Sequence, residues 1–364
     1  MKRLTFDLEF ITPAFIGGAY QQAELRPASF VGLLRWWWRA LKGECDIEKL
    51  RAEEVEIFGG IAKNLRKEEI KKASPVYLRV EGNIRKGSDL ANECRLNAGV
   101  RYLYHFVTVR GKREFIKPGS RLSLTLIGKD AVLKHYVASL WALVFLGGVG
   151  ARSRRGGGNL AVVGYEPKDL VENLKISFTP THNLREWLEE NLRKAKELVG
   201  SSKTSCDKYG KCECEYSTLP NPASSDFKLE ISKAKFNTWF EALNDIGKEF
   251  MRFRKIKNER KNEQNKQNEE WFPDIAVFGL PLKYGKGKAV EVENTKEDIT
   301  RRSSPVIIKV VKNSEGKYQW MVLGLEGKFL PHGAKLRFGE KTKEPDLSLI
   351  EEFFERLRGG TKNE

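Results

Sequence analysis

Ala73–Val80 reads "ASPVYLRV", and Ser303–Val310 reads "SSPVIIKV". A Ser-Pro pair ahead of an apolar, β-branched run reads as a turn that opens into a strand. Meeting it twice raises the question of whether one architecture is written twice. Further matches follow in the same order. "FITP" (Phe10–Pro13) pairs with "SFTP" (Ser177–Pro180), and "FIKPGSRL" (Phe115–Leu122) with "FLPHGAKL" (Phe329–Leu336). A Phe-Gly precedes each Ser-Pro strand, at Phe58 and Phe278. A helix with a basic-aromatic stretch lies between the first and second landmarks of each half: "RWWWR" in one, "FMRFRK" in the other. Strand, helix, two or three strands, helix, strand is the split βαβ order. The expectation is an α+β protein of two tandem ferredoxin-like (RRM-like) domains packed together, residues 1–170 and 171–364. Insertions are expected at about 201–226 and 258–270, and the second domain has no evident final strand.

Period-2 and period-3.6 patterns fill in the elements. The first half predicts strands at Leu4–Ile11, Ser74–Val80, "RYLYHFVTV" (Arg101–Val109), "RLSLTLIG" (Arg121–Gly128) and "LAVVGY" (Leu160–Tyr165), with helices at Arg26–Gly43 and Asp130–Leu146. The second half predicts a strand "LKISF" (Leu174–Phe178), a helix Leu184–Val199, a strand Phe227–Ser232 and a helix from Phe236 to about Lys257. Strands "PVIIKVV", "YQWMVLGL" and "AKLRF" follow, with a closing helix Leu347–Arg358. The polar tract "KNERKNEQNKQNEE" (Lys257–Glu270) reads as mobile.

The chain of 364 residues carries 65 Lys and Arg against 49 Asp and Glu, a net +16. Such an excess favours a polyanionic partner, nucleic acid first and an anionic membrane second. The apolar run Val137–Leu146 is too short to span a bilayer. "MKRLTFDLEF" alternates like a strand and shows no signal peptide, which points to the cytoplasm. Five cysteines, Cys45, Cys94, Cys206, Cys212 and Cys214, make no disulfide framework.

Two segments stand out chemically. "GLLRWWWRALKG" (Gly32–Gly43) is amphipathic as a helix. Trp37 sits at the centre of the apolar arc; Gly32, Arg35, Arg39 and Lys42 lie opposite, and Trp36 and Trp38 stand on the two borders. A base stacked on a border ring would gain about 1–3 kcal/mol; the plainer reading is a packed helix with a solvated charged face. "GGVGARSRRGGGN" (Gly147–Asn159) holds six glycines and three arginines and no acid. It has no Gly-Lys-Ser/Thr, and it follows a helix and precedes a strand, so neither nucleotide fingerprint applies. Backbone N–H groups and arginine forks suit an RNA or DNA backbone, against a plain solvated turn. Nothing convergent reads as catalytic: His105, His135, His182 and His332 are scattered. Cys206, Cys212 and Cys214 lack the usual zinc spacing. No catalytic residue, metal ligand or cofactor is assigned.

"TPAFIGGAYQQAELRPASFVGLLRWWWRAL" together with "GGVGARSRRGGGNL" resembles the first-numbered RAMP subunit family of the type III-B CRISPR (Cmr) effector complex. The resemblance is carried by residues 4–43 and 141–165 and by the Phe-Gly and Ser-Pro landmarks; it does not cover 201–226 or 258–270. It implies a non-catalytic subunit of an antiviral ribonucleoprotein, near the 3′ part of the guide RNA, that helps capture target RNA alongside other Cmr subunits. By position it implies roles in RNA binding for Arg26, Ser29, Gly32, Arg35, Arg39, Arg152, Ser153, Arg154 and Arg155. Trp36 and Gly150 join them from the chemistry of the two segments. The aromatic signature of an RNA-binding RRM sheet is absent, so RNA is not expected on the sheet. Two alternatives remain: a metal-independent endoribonuclease that processes guide RNA, which wants a His near the first helix where none precedes His105, and a pure scaffold docked through Trp36 and Trp38.

Overall fold

The computed structural model describes residues 1–18, 20, 22–63, 69–94, 97–108, 113–201, 214–264, 272–284, 288–293 and 299–359. The first half runs β1 (Lys2–Phe10), α1 (Pro27–Lys42), α2 (Ile47–Phe58), β2 (Gly60–Lys63), β3 (Glu69–Lys72), β4 (Tyr77–Glu81), β5 (Lys86–Gly87), α3 (Leu90–Cys94), α4 (Ala98–Thr108), β6 (Phe115–Ile116), β7 (Arg121–Gly128), α5 (Asp130–Leu146) and β8 (Leu160–Glu166). Four of its strands form one antiparallel sheet in the order β4-β7-β1-β8. This is the split βαβ arrangement, with α1 and α5 as its two crossover helices. Strand β1 alternates strictly: Leu4, Phe6, Leu8 and Phe10 are buried, while Asp7 points away from the core. Helix α1 starts at Pro27 and stops at Gly43, whose left-handed conformation closes it. Helix α5 is apolar on every side because every side is covered, by α1, by α7 (Leu184–Leu198), and by sheets of both halves.

Arg101–Thr108 of "RYLYHFVTV" are not a strand: they lie in α4, and Val109 is outside the described residues. Val100, Leu103 and Tyr104 are buried, and Val107 packs beside them, a spacing of i, i+3, i+4 and i+7. The β-branched and aromatic residue types favour a strand, but the buried period is 3.6, and packing decides. Helix α4 crosses α8 (Trp239–Gln264) at two glycines. A Cβ on Gly99 would stand 2.2 Å from the Asn244 carbonyl oxygen, and one on Gly247 2.5 Å from the Gly99 oxygen.

"LKISF" is also not a strand. After α6 (Lys168–Glu172) the chain turns at Lys175, and Ile176 and Phe178 fill the first core without pairing. The second sheet is built from β9 (Leu229–Ile231), β12 (Val306–Lys312) and β13 (Tyr318–Gly324), in the order β12-β13-β9. Between them, after α8, come β10 (Leu282–Tyr284) and β11 (Lys288–Val292). β14 (Leu336–Phe338), β15 (Lys341–Lys343) and α9 (Ser348–Gly359) complete the chain. The strand equivalent to β1 is therefore β9, so the "SFTP" landmark is not a counterpart of "FITP". "FLPHGAKL" fails likewise: it leads into β14, which joins β10, β11 and β15 in a separate small sheet that the sequence reading did not foresee. The Ser-Pro landmarks do correspond. β4 and β12 each pair with the strand that follows in their unit, β7 and β13. The Ser74 hydroxyl donates to the Val76 carbonyl at 2.8 Å, and the Ser304 hydroxyl to the Val306 carbonyl at 3.0 Å. Among the described residues no fourth strand joins β9.

The second sheet is covered on both faces. Val306, Ile308 and Val310 pack with α8 and α9, whereas Ile307, Val311, Met321 and Leu323 join the core that holds α5. On that second face lies Lys309, fully buried, its ammonium donating to the Gly147 carbonyl at 2.7 Å. Burial pushes its pKa down to about 7.

Two expectations about loops also change. Helix α8 continues to Gln264, so the first part of the polar tract is helical; 265–270 lie outside the described residues. Cys45 and Cys214 form a disulfide that ties the α1–α2 turn to residues returning from the 201–226 insertion. Tyr216 reinforces it, donating to the Glu44 carbonyl at 2.8 Å. Cys206 and Cys212 lie outside the described residues.

Candidate nucleic-acid interface

The Gly-Arg loop leaves α5 at Gly147 and folds back on itself. Val149 N–H donates to the Gly158 carbonyl at 2.9 Å, and Gly158 N–H to the Pro13 carbonyl at 2.8 Å. Only glycine fits at its tightest points. Gly158 has φ +61° and a Cβ there would sit 1.9 Å from the Val149 oxygen; Gly150 has φ +89°, with the Phe15 oxygen 2.6 Å from the same atom. Arg152 also lies in the left-handed region, at φ 64°. The loop is thus a fixed object, not a loose solvated turn.

It also serves as an edge of the second sheet. Ile308 N–H donates to the Arg154 carbonyl at 3.1 Å, and Val310 N–H to the Asn159 side chain at 2.8 Å. The Arg155 guanidinium donates to the carbonyls of Val306 at 2.9 Å, Phe278 at 2.7 Å and Arg154 at 3.0 Å. Arg154 donates to the Ser304 carbonyl, and its guanidinium lies 5.1 Å from the Trp36 ring centroid. Arg35 does for the first half what Arg155 does for the second: it donates to the carbonyls of Phe58, at 2.9 Å, and Gly59. Each Phe-Gly landmark is held by one arginine fork.

Helix α1 is less open than its wheel suggests. Its arginines face α2, where the largely buried Glu54 takes Arg39 at 2.8 and 2.9 Å and lies 3.8 Å from Arg35. Trp38 is not on a border but in the core, its indole donating to His135 Nδ1 at 3.2 Å. Burial holds the His135 imidazole down to about 4. Trp37 is buried as expected. Ser29, Gly32 and Trp36 follow one another at helical spacing along the flank of α1 that adjoins its arginines; Gly32 is exposed and Ser29 and Trp36 half-buried. Exposed Arg26 stands at the N-cap position of the helix, with no side-chain capping bond, and pairs with Glu24 at 3.3 Å. Ser153 is half-buried in the Gly-Arg loop. Trp36 is where helix and loop meet.

What emerges at the junction is a row of arginines. Burial lowers Arg154 to about 10 and neighbouring Arg302 adds to it; burial lowers Arg155 to about 9, helped by Arg254 and Arg152. Burial likewise lowers Arg152 and Arg302. All remain charged at neutral pH. Among the described residues Arg154, Arg155, Arg254 and Arg302 form no ion pair with a carboxylate. Aromatic rings floor the row: Trp36 under Arg154, Phe250 under Arg155 and Arg254, and Tyr102 beside Arg254. Tyr102, Phe250, Arg254 and Arg302 escaped the sequence reading as site residues. "FMRFRK" and the "RR" ahead of the second Ser-Pro strand were their signal. Among the described residues no three His, Cys, Asp or Glu side chains gather as a metal site.

Residues 7–161 match the RAMP superfamily. The likeness read from the sequence holds. The Cmr subunit Cmr1-1 of Pyrococcus furiosus is 27% identical over 363 residues, covering 94% of this chain and 89% of that protein. Subunit Cmr1-2 of the same organism is 35% identical over 188 residues, 44% of this chain and 96% of that protein. The apo crystal structure of Cmr1 from Pyrococcus furiosus superposes with a TM-score of 0.63 at 23% identity, covering 91% of this chain and 90% of that one. A chain in the cryo-EM structure of the type III-B Cmr-beta complex bound to cognate target RNA gives a TM-score of 0.59 at 13% identity, covering 98% and 99%. The RAMP match includes the Gly-Arg loop, and the likeness in fold to these structures extends over nearly the whole chain.

Proposed function

We propose that this chain is a non-catalytic RNA-binding subunit of a type III-B CRISPR (Cmr) ribonucleoprotein in antiviral defence. Its partners are then guide or target RNA and other Cmr subunits, and its place is the cytoplasm. The observation that carries the reading is the arginine row Arg302–Arg154–Arg155–Arg254, floored by aromatic rings and forming no ion pair with a carboxylate among the described residues, with Arg152 beside it. Clustered guanidiniums suit a phosphate backbone, and the half-buried rings of Trp36 and Tyr102 suit unstacked bases. The Cmr names and RNA-bound assembly of the similar proteins point the same way. The reading includes the division near residue 170, with α7 docked back on the first unit. Arg26, Ser29 and Gly32 are assigned to the RNA path as an extension of Trp36 along α1. Gly150 shapes the loop; Arg35, Arg39 and Arg155 hold the protein parts that carry the path.

The test is RNA titration at several salt concentrations. On single strands each phosphate contact contributes about −0.7 to the log–log slope. Replacing Arg152 and Arg302 with Gln is expected to flatten the slope by about one to two units and to weaken unrelated sequences equally. Metal-free cleavage that survives repurification would instead mark a nuclease. No RNA affinity would mark a scaffold.

A further inference from the structure

Two guanidiniums share one ring where α4, α8 and the Gly-Arg loop meet. The Arg155 group lies 4.9 Å and the Arg254 group 5.5 Å from the Phe250 ring centroid, and Arg254 lies 5.8 Å from the Tyr102 centroid. Their donors are used differently. Arg155 gives its donors to backbone carbonyls. Arg254 makes no hydrogen bond or ion pair among the described residues, and its Nε is buried without a partner. A guanidinium has five N–H donors. Only the Nε donor of Arg254 is buried unused; the terminal donors are open to solvent, and the second positive charge beside them favours an anion there. The Phe250 and Tyr102 rings hold the guanidinium of Arg254 from the protein side, and its terminal nitrogens, unlike Nε, are not buried. A guanidinium binds an oxyanion through two parallel N–H bonds of its planar fork.

We propose that this corner is a phosphate subsite, in which Arg254 is the arm that closes on one RNA phosphate and Arg155 is the fixed positive wall behind it. The proposal rests on the RNA-binding reading. Arg154 and Arg302, whose donors go to carbonyls, frame the row, whereas Arg254 is the member whose fork is still unused.

The experiment uses the full chain as wild type, Arg254→Gln and Arg254→Lys. Thermal melts are taken with and without inorganic phosphate, and single-stranded RNA is titrated at several salt concentrations. Phosphate is expected to raise the melting temperature of wild type, less so that of Arg254→Lys, and not that of Arg254→Gln. Without phosphate, Arg254→Gln is expected to melt close to wild type, because the lost ring contacts are offset by the lost repulsion from Arg155. Its RNA salt slope is expected to be shallower by about 0.7. If Arg254→Gln folds poorly, Arg254→Lys carries the test: it must lose part of the phosphate response. Repeating the titration with RNA bearing hydroxyl or phosphate ends assigns the bound group to a strand end if the phosphorylated end binds more tightly, and to an internal linkage if both bind alike. An Arg254→Gln chain that keeps the full phosphate response and wild-type slope overturns the subsite and leaves the RNA reading standing. Phosphate stabilisation lost in Arg254→Gln, with no RNA affinity in wild type, does the reverse.

Discussion

The arginines of the Gly-Arg loop look interchangeable in sequence and are not so in the fold. Arg155 satisfies three carbonyls, two of them more than a hundred residues away in the chain. Hydrogen bonds to a charged group contribute about 1.5–3 kcal/mol each, so Arg155→Gln is expected to lower stability by about 2–4 kcal/mol in a urea melt; an unchanged midpoint would show that the clamp is not holding the junction. Such partners leave no trace in local sequence, which is why the loop read only as an RNA site. Trp38 shows the same limit. A helical wheel places it on a border, but His135 arrives from α5 to take its N–H. Trp38→Ala is expected to cost about 3–5 kcal/mol of stability.

Lys309 gives a pH signature. Its folded pKa, held down to about 7, lies below the ordinary 10.5. Between those values the unfolded chain holds a proton that the folded chain has released, so stability rises with pH across the window and is lost as pH falls toward 7. Melts from about pH 7 to 10 are therefore expected to climb more steeply for wild type than for Lys309→Met. Parallel curves would mean that Lys309 is charged in the fold at all these pH values.

At the scale of elements, legibility followed how local the determining chemistry was. The Ser-Pro strands were readable because the serine hydroxyl bonds within its own turn. The ends of α1 were readable because Pro27 and Gly43 act where they stand. The "FITP" and "SFTP" match misled because a strand and an irregular core-filling segment can share those residue types. Helix α4 was misread because its buried face is defined by α8, far away in sequence. That crossing has its own test. Gly247→Val puts a branched side chain against the Gly99 backbone. Overpacking of this kind costs about 1–3 kcal/mol. A smaller shift in the urea midpoint would show that the two helices separate easily.

Across the whole molecule, the sequence conveyed two related units but not how completely they share a core. The face of β12 and β13 that holds Ile307, Val311, Met321 and Leu323 is covered by the first unit, and the Gly-Arg loop completes the edge of β12. Residues 171–364 expressed alone are therefore expected to be insoluble or to lack a cooperative transition, and to recover it when 1–170 is supplied in trans; a stable, cooperative isolated fragment would contradict the shared core. The same junction gathers the arginine row, so fold and candidate site arise from one seam. The most direct measurement is RNA crosslinking within an assembled complex, with the crosslinked residues identified by mass spectrometry. The seam predicts crosslinks at Trp36, Tyr102 and residues 150–155. Crosslinks confined to the open face of the β4-β7-β1-β8 sheet or to the small β10-β11-β14-β15 sheet would contradict it.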